Sequence, residues 1–318
     1  MDKLLTMLRW KRPSGNDLAT KMFGEVFLEP VMGKPDEFGN YTHIIKGEVQ
    51  PNLCFTAHYD TVHRDGGFQE IEVKNDTVTA VDSDCLGADC TTGIYLILEM
   101  IAAGIPGVYV IHADEEIGCR GSGAIVESEP VWLSLIDAVI SFDRLGENSV
   151  VTHQMGQRTA SDAFAKSFAD ALSMPKLRPD SGGVYTDSNE YANVVSECTN
   201  ISVGYYCQHS SSESQDLVHL KELRDALIDA DWSKLVFERD PSASSYDDEY
   251  IGRGWYRSDG PDDMRELWEK YDLKELLIEF PEEIAEYMYD CGITASELAQ
   301  EAGVESSAYI DRYLERAV

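Results

Sequence analysis

Four short apolar runs, each too brief for a helix, constrain this chain more than any other feature. They are Asn52-Leu-Cys-Phe-Thr-Ala57, Val108-Tyr-Val-Ile111, Ala138-Val-Ile-Ser-Phe142 and Asn200-Ile-Ser-Val203. A continuous apolar run of about four to eight residues reads as a strand covered on both faces. Between the runs lie stretches with helical spacing. Thr91 to Ala103 carries Ile94, Leu96, Ile97, Leu98, Met100 and Ile101, and stops at Gly104 with Pro106 beyond. Ala160 to Leu172 and Val218 to Val236 read as further helices, as do residues 1–30. Tyr41 to Ile45 reads as a strand, and Phe68 to Val81 as a hairpin turning at Asn75-Asp76. Strands alternating with helices predict an α/β fold, a mostly parallel mixed sheet with helices on both faces.

In such sheets, sites form beyond the carboxyl ends of the strands. His58, Glu116, Asp143 and His209 each follow an apolar run, and Asp89 precedes the helix at Thr91. Histidine, aspartate and glutamate in this set supply the nitrogen and oxygen donors of a two-metal hydrolytic site. A peptide-bond hydrolase must activate water, polarise a carbonyl and protonate an amine; two zinc ions sharing a water do the first two. The expected arrangement has Asp89 bridging, His58 and Asp143 on one ion, and Glu116 and His209 on the other. Glu115, beside a ligand, is the expected general base. Asp60, two residues after His58, is expected to accept the outer N–H of that imidazole and fix its tautomer. Taken singly, any of these side chains is more often structural; the reading rests on five arriving together.

Four further residues are candidates for substrate contact. Tyr205 and Tyr206 precede the last ligand and either pack or donate to an oxyanion. Arg144 follows a ligand and either binds a substrate carboxylate or pairs with a nearby acid. Asp187 could meet a substrate amine. His63, His112 and His153 read as structural. Mixed nitrogen and oxygen donors at a hydrolytic site favour zinc, with cobalt or manganese as substitutes.

Thr56-Ala-His-Tyr-Asp-Thr-Val62, Leu86-Gly-Ala-Asp-Cys-Thr-Thr-Gly93, Asp114-Glu-Glu-Ile-Gly-Cys-Arg-Gly-Ser122, Ser141-Phe-Asp143 and Gly204-Tyr-Tyr-Cys-Gln-His209 together resemble the dizinc exopeptidase superfamily. That group includes zinc aminopeptidases and related carboxypeptidases and deacylases. The resemblance runs from about residue 15 to 235 and implies the same roles for the same residues. Only 65 residues separate Asp143 from His209. The carboxypeptidase and deacylase branch usually inserts a dimerisation domain there, so this chain looks like the aminopeptidase branch, a single catalytic domain without an inserted lid. Gly182-Gly-Val-Tyr-Thr-Asp-Ser188 resembles the loop lining the substrate pocket in that superfamily. One departure stands out. Relatives often carry Asp or Asn after the bridging aspartate, in a peptide bond that is often cis, and this chain has Cys90.

The formal net charge of −32 disfavours nucleic acid and anionic membranes as partners. No run approaches the ~18 apolar residues that span a bilayer. The N-terminus has no signal-peptide pattern, so a cytoplasmic protein is expected. Seven cysteines without CxxC spacing point away from a disulfide framework or zinc ribbon. The expected organisation is a catalytic domain over 1–238, an acidic linker over 239–260 and a helical tail over 261–318. Gly292 to Val304 has a helix-turn-helix cadence, but residues 261–318 hold five Lys/Arg against sixteen Asp/Glu, which argues against DNA binding. A bundle that docks a partner or self-associates fits better. The function expected is a metal-dependent exopeptidase, most readily an aminopeptidase, acting on a peptide or amide substrate. The rivals are a carboxypeptidase-like amidohydrolase acting on N-acyl amino acids and a non-catalytic metal-binding scaffold acting through the tail.

Overall fold

A computed structural model describes residues 1–15, 17–47 and 52–242. The expected tail over 261–318, and all but the first residues of the expected linker, lie outside the described residues. The strands, in chain order, are β1 (Tyr41–Ile45), β2 (Leu53–His58), β3 (Glu70–Lys74), β4 (Thr77–Val81), β5 (Gly107–His112), β6 (Ala138–Arg144), β7 (Ser149–Val151), β8 (Arg178–Asp180), β9 (Glu197–Ser202), β10 (Tyr205–Tyr206) and β11 (Ser214–Asp216). The main helices are α1 (Ala88–Ala102), α2 (Arg120–Ser128), α3 (Asp162–Ala171) and α4 (Leu217–Ile228).

Seven strands form the central sheet in the order β8-β7-β9-β6-β2-β5-β1. The neighbours β5, β2, β6 and β9 run parallel, with β1 antiparallel on one edge and β7 antiparallel to β9 towards the other. After β2 the chain crosses to β5 on one side and then to β6 on the other. The carboxyl ends of these strands therefore flank a crevice of the kind that binds ligands in open α/β sheets.

Strand alternation divides the interior. Cys54, Val108, Val110, Val139 and Cys198 face a cluster with Ile125, Leu133, Tyr191 and Val195. Phe55, Tyr109, Ile111 and Ile140 face the larger core with α1, α3 and α4. Every residue of β2 and of β9 is buried, as the apolar runs require of strands covered on both faces. α1 lies so close to the sheet that a Cβ on Gly93 would meet the Phe142 carbonyl, lie 2.6 Å from Cys90 Sγ and lie 2.9 Å from the Ala57 methyl. In α4, Leu220, Leu223 and Leu227 repeat at helical spacing and are buried.

A second sheet, β10-β11-β4-β3, includes the expected hairpin. Asn75 and Asp76 both have positive φ, 51° and 60°, the conformation of a two-residue primed turn.

Two expectations need correction. Residues 1–30, expected to be helical, are helical near the start and from Leu18 onward but not between. Helices Asp2–Met7 and Leu18–Phe23 are separated by an extended segment, Trp10–Lys11, and by Pro13 and Gly15, the latter at φ 81°. Arg12 in this break is fully buried. Its Nε donates to the Tyr59 carbonyl at 2.6 Å, its Nη2 donates to Thr91 Oγ1 at 2.6 Å, and its guanidinium lies 4.3 Å from the centre of the Phe23 ring. The helix expected over 218–236 ends at Ile228, followed by a short 3-10 turn at Trp232–Lys234. Beyond it Arg239 packs back on the domain, its side chain donating to four backbone carbonyls, those of Arg158, Ala192, Val195 and Ser196.

Candidate metal centre and active site

The parallel register builds the site. Thr56 pairs with Ser141, so two residues further on His58 stands level with Asp143. His58 Nε2 lies 3.4 Å from Asp143 Oδ1 and 3.1 Å from Asp89 Oδ1. The other Asp89 oxygen, Oδ2, lies 3.1 Å from His209 Nε2, which is also 3.1 Å from Glu116 Oε2. Asp89 thus stands between two imidazoles, one oxygen towards each. Ligand atoms of Asp89, Glu116 and His209 all lie within 4.8 Å of one another, as do those of His58, Asp143 and Cys90. The Asp89–Cys90 peptide bond is cis, and Cys90 Sγ donates to the Phe142 carbonyl at 3.0 Å. Glu115 Oε2 lies 3.8 Å from His58 Nε2, and the Cys119 thiol lies 3.6 Å from Glu115 Oε1.

Asp60 does more than expected. Its carboxylate accepts the backbone N–H groups of Glu115 and Glu116, both at 3.1 Å, and the Ser14 hydroxyl at 2.8 Å. His58 Nδ1 is closer to the Asp60 backbone carbonyl, at 3.1 Å, than to its carboxylate, at 3.5 Å. The carbonyl is therefore the main partner that fixes the tautomer, and the carboxylate binds the loop carrying the two glutamates.

Three residues that sequence reasoning missed hold the aspartates. Glu213 is buried and accepts the N–H groups of Leu86 and Gly87, each at 2.8 Å, and of Asp89 at 3.0 Å. Asn200 clamps the Asp143 backbone, accepting its N–H at 2.9 Å and donating to its carbonyl at 2.6 Å. Thr186 donates to Asp143 Oδ2 at 2.7 Å. Glu213 lies after three serines, a stretch that reads as solvated loop, so nothing local marked it.

The substrate-contact candidates fall in different places. The Tyr205 hydroxyl donates to Asp143 Oδ1 at 3.2 Å, and the Tyr206 hydroxyl to Glu147 at 2.7 Å. Arg144 Nη2 meets Asp180 at 3.3 Å and donates to the Gly182 carbonyl at 2.9 Å, the ion-pair alternative. Asp187 is 1% exposed; its carboxylate accepts from Ser122 at 2.6 Å and lies 2.9 Å from His112 Nδ1. That burial sets it against its own neighbours rather than towards a substrate amine.

Electrostatics show what the cluster lacks. Burial, then the charge of Asp89, pushes Asp143 up to about 7. Burial also lifts Glu115 and Glu116, reinforced by neighbouring carboxylates. Burial opposes a charged His58, but Asp143 and Glu115 outweigh it and raise its pKa. Asp89 and Glu116 likewise overcome burial and raise His209 to about 11. Glu116 Oε1 is buried without a hydrogen-bond partner. No lysine or arginine pairs with Asp89, Glu115, Glu116 or Asp143 among the described residues. Four carboxylates converge on two imidazoles with a surplus of negative charge and an orphaned oxygen, and that donor set fits two divalent cations.

Comparison with known proteins bears on the family and the fold. The family model for peptidase family M28 matches residues 40–193, a span holding every candidate ligand except His209. The fold is similar to that of a tripeptidase from Staphylococcus aureus, with TM-score 0.60 and 14% identity over 73% of this chain and 97% of that one. It is similar to that of the aminopeptidase PepT from Bacillus cereus, with TM-score 0.57 and 12% identity over 72% and 96%. The TET1 peptidase of Pyrococcus horikoshii, which can assemble into a tetrahedron or a large octahedral shell, aligns with TM-score 0.51 and 14% identity over 72% and 98%. No curated protein sequence matches the chain. The family match, the fold and the donor set together support a zinc metallopeptidase. Over residues 40–193 the chain is similar to peptidase family M28, and its fold is shared with solved aminopeptidases.

Proposed function

We propose that the chain is an aminopeptidase working with two zinc ions, and that Glu115 is its general base. The observation that carries this is Asp89, with Oδ1 at 3.1 Å from His58 and Oδ2 at 3.1 Å from His209. His58 and Asp143 would hold one ion, Glu116 and His209 the other, with Asp89 shared. When bound, such ions would polarise the scissile carbonyl and acidify the attacking water. Glu115 Oε2 would accept a proton from the attacking water and return it to the leaving amine. Asp60 keeps Glu115 in reach by holding the backbone of residues 115 and 116. The surplus of negative charge favours a substrate that presents a free ammonium terminus. Absence of an inserted domain between Asp143 and His209 supports the aminopeptidase branch.

The free state of the described cysteines fits a reducing compartment, and we place the chain in the cytoplasm on that ground. No helix among the described residues is long and apolar enough to cross a membrane. The test is metal analysis of the purified protein with a panel of aminoacyl anilides, short peptides and N-acyl amino acids. Two equivalents of zinc and release of N-terminal residues are expected. Cleavage of N-acyl amino acids alone would move the chain to the deacylases, and tight zinc binding with no hydrolysis would make it a scaffold.

A further inference from the structure

A cleft of about 540 Å3 lies beside the centre. Its walls include Glu147, Asn148, Lys176, Arg178 and Tyr206. The sheet places it on the same edge as the ligands. Ser202 pairs with Arg144, Ile201 with Val150, and Ser149 with Arg178, so β7 and β8 both start level with the residue after Asp143. Tyr205 joins the two places directly. Its hydroxyl donates to Asp143, and its carbonyl accepts the N–H of Gly146, which lines the cleft, at 2.9 Å.

The cleft's charge is at odds with the rest of the protein. The chain carries −32, yet Lys176 and Arg178 stand together here, both exposed. Neither has a side-chain hydrogen bond or ion pair among the described residues. The one acid in the wall, Glu147, accepts the Tyr206 hydroxyl at 2.7 Å. Arg144, the cation nearest the centre in sequence, is occupied by Asp180 and Gly182. Two free cations and an amide in a concave wall suit a carboxylate. A peptide whose amino end lies at the metal ligands extends its other end away from them, along this edge.

We propose that this cleft is the subsite for the free C-terminal carboxylate of a short peptide, held by Lys176 and Arg178. The inference rests on the aminopeptidase reading above and narrows its substrates to short peptides with an unblocked carboxyl end. It is tested on zinc-loaded Glu115→Gln protein by titration calorimetry with trialanine and trialanine amide. The free acid is expected to bind about tenfold tighter at low salt, with the ratio shrinking as sodium chloride is added. Adding Lys176→Ala and Arg178→Ala should bring the ratio to about one. Equal affinity in the parent, a preference that survives both substitutions, or no peptide binding at all overturns the subsite. Turnover of both peptides by Glu115→Gln protein would instead sink the role of the base while leaving the binding ratio to judge the cleft.

Discussion

At the scale of single residues, Glu115 and Glu213 show how differently two buried glutamates can serve one site. Glu115 points a free oxygen into the cluster, and the proposed chemistry needs that oxygen to accept a proton. Glu115→Gln is expected to retain both zinc ions, read by metal analysis, while kcat falls by about 10²–10⁴-fold. Unchanged turnover would rule out the assignment. Glu213 accepts three backbone N–H groups across Leu86 to Asp89. An amide there turns an acceptor into a donor facing those groups. Glu213→Gln should lower stability by about 2–3 kcal/mol in urea unfolding. It should also weaken zinc binding by about 10–100-fold, because the loop presenting Asp89 loosens. Four of the five ligand candidates were legible from their positions after apolar runs, and Asp89 from its place before the helix of α1. Glu213, Asn200 and Thr186 were not, because a supporting residue needs only to reach a backbone group, and no local pattern marks that.

At the scale of elements, the strands were read well because burial on both faces leaves an uninterrupted apolar run. The first thirty residues were misread for a physical reason. Leu4, Leu5 and Leu8, then Leu18, Met22 and Phe23, keep helical spacing, but Pro13 and Gly15 turn the chain so that Arg12 can enter the core. His63 ties the segment after β2 to the loop before α1. Its Nδ1 accepts from the Thr61 hydroxyl at 2.7 Å, and its Nε2 donates to Gln69 Oε1 at 3.0 Å and the Cys85 carbonyl at 3.2 Å. Burial, with Arg12 and Lys11 nearby, lowers its pKa from 6.5 to about 4. The unfolded chain therefore takes the proton first as pH falls. The contribution of His63 is fully present above pH ~6.5 and is lost between ~6.5 and ~4, up to about 3 kcal/mol in all. Denaturant melts of wild type and His63→Asn should diverge in slope against pH within that window, with the variant flatter. Parallel curves would show that His63 does not carry this linkage.

At the scale of the whole molecule, the centre draws on β2, β5, β6, the start of α1 and the loop after β10, so its repulsion is felt across the body. Four carboxylates share a buried space, and among the described residues no lysine or arginine pairs with them. Filling the site should therefore stabilise the fold, by about 4 kcal/mol at free zinc a thousandfold above the dissociation constant. Chelation is expected to lower Tm by several degrees or more, and restored zinc to return it with a dependence on concentration. An identical Tm with and without chelator would mean that no ion is held by the folded state.

From its own order of residues the chain determines the strands, the helix at α1 and the set of candidate metal-binding side chains, because burial and helical periodicity are written locally. Only tertiary structure decides the rest. It brings Asp89 between two imidazoles more than one hundred residues apart, sets Asp60 under the Glu115-Glu116 loop, and commits Arg144 to Asp180 while leaving Lys176 and Arg178 unpaired among the described residues. Those pairings depend on which strands become neighbours and in what register, and that is settled by packing both faces of one sheet at once.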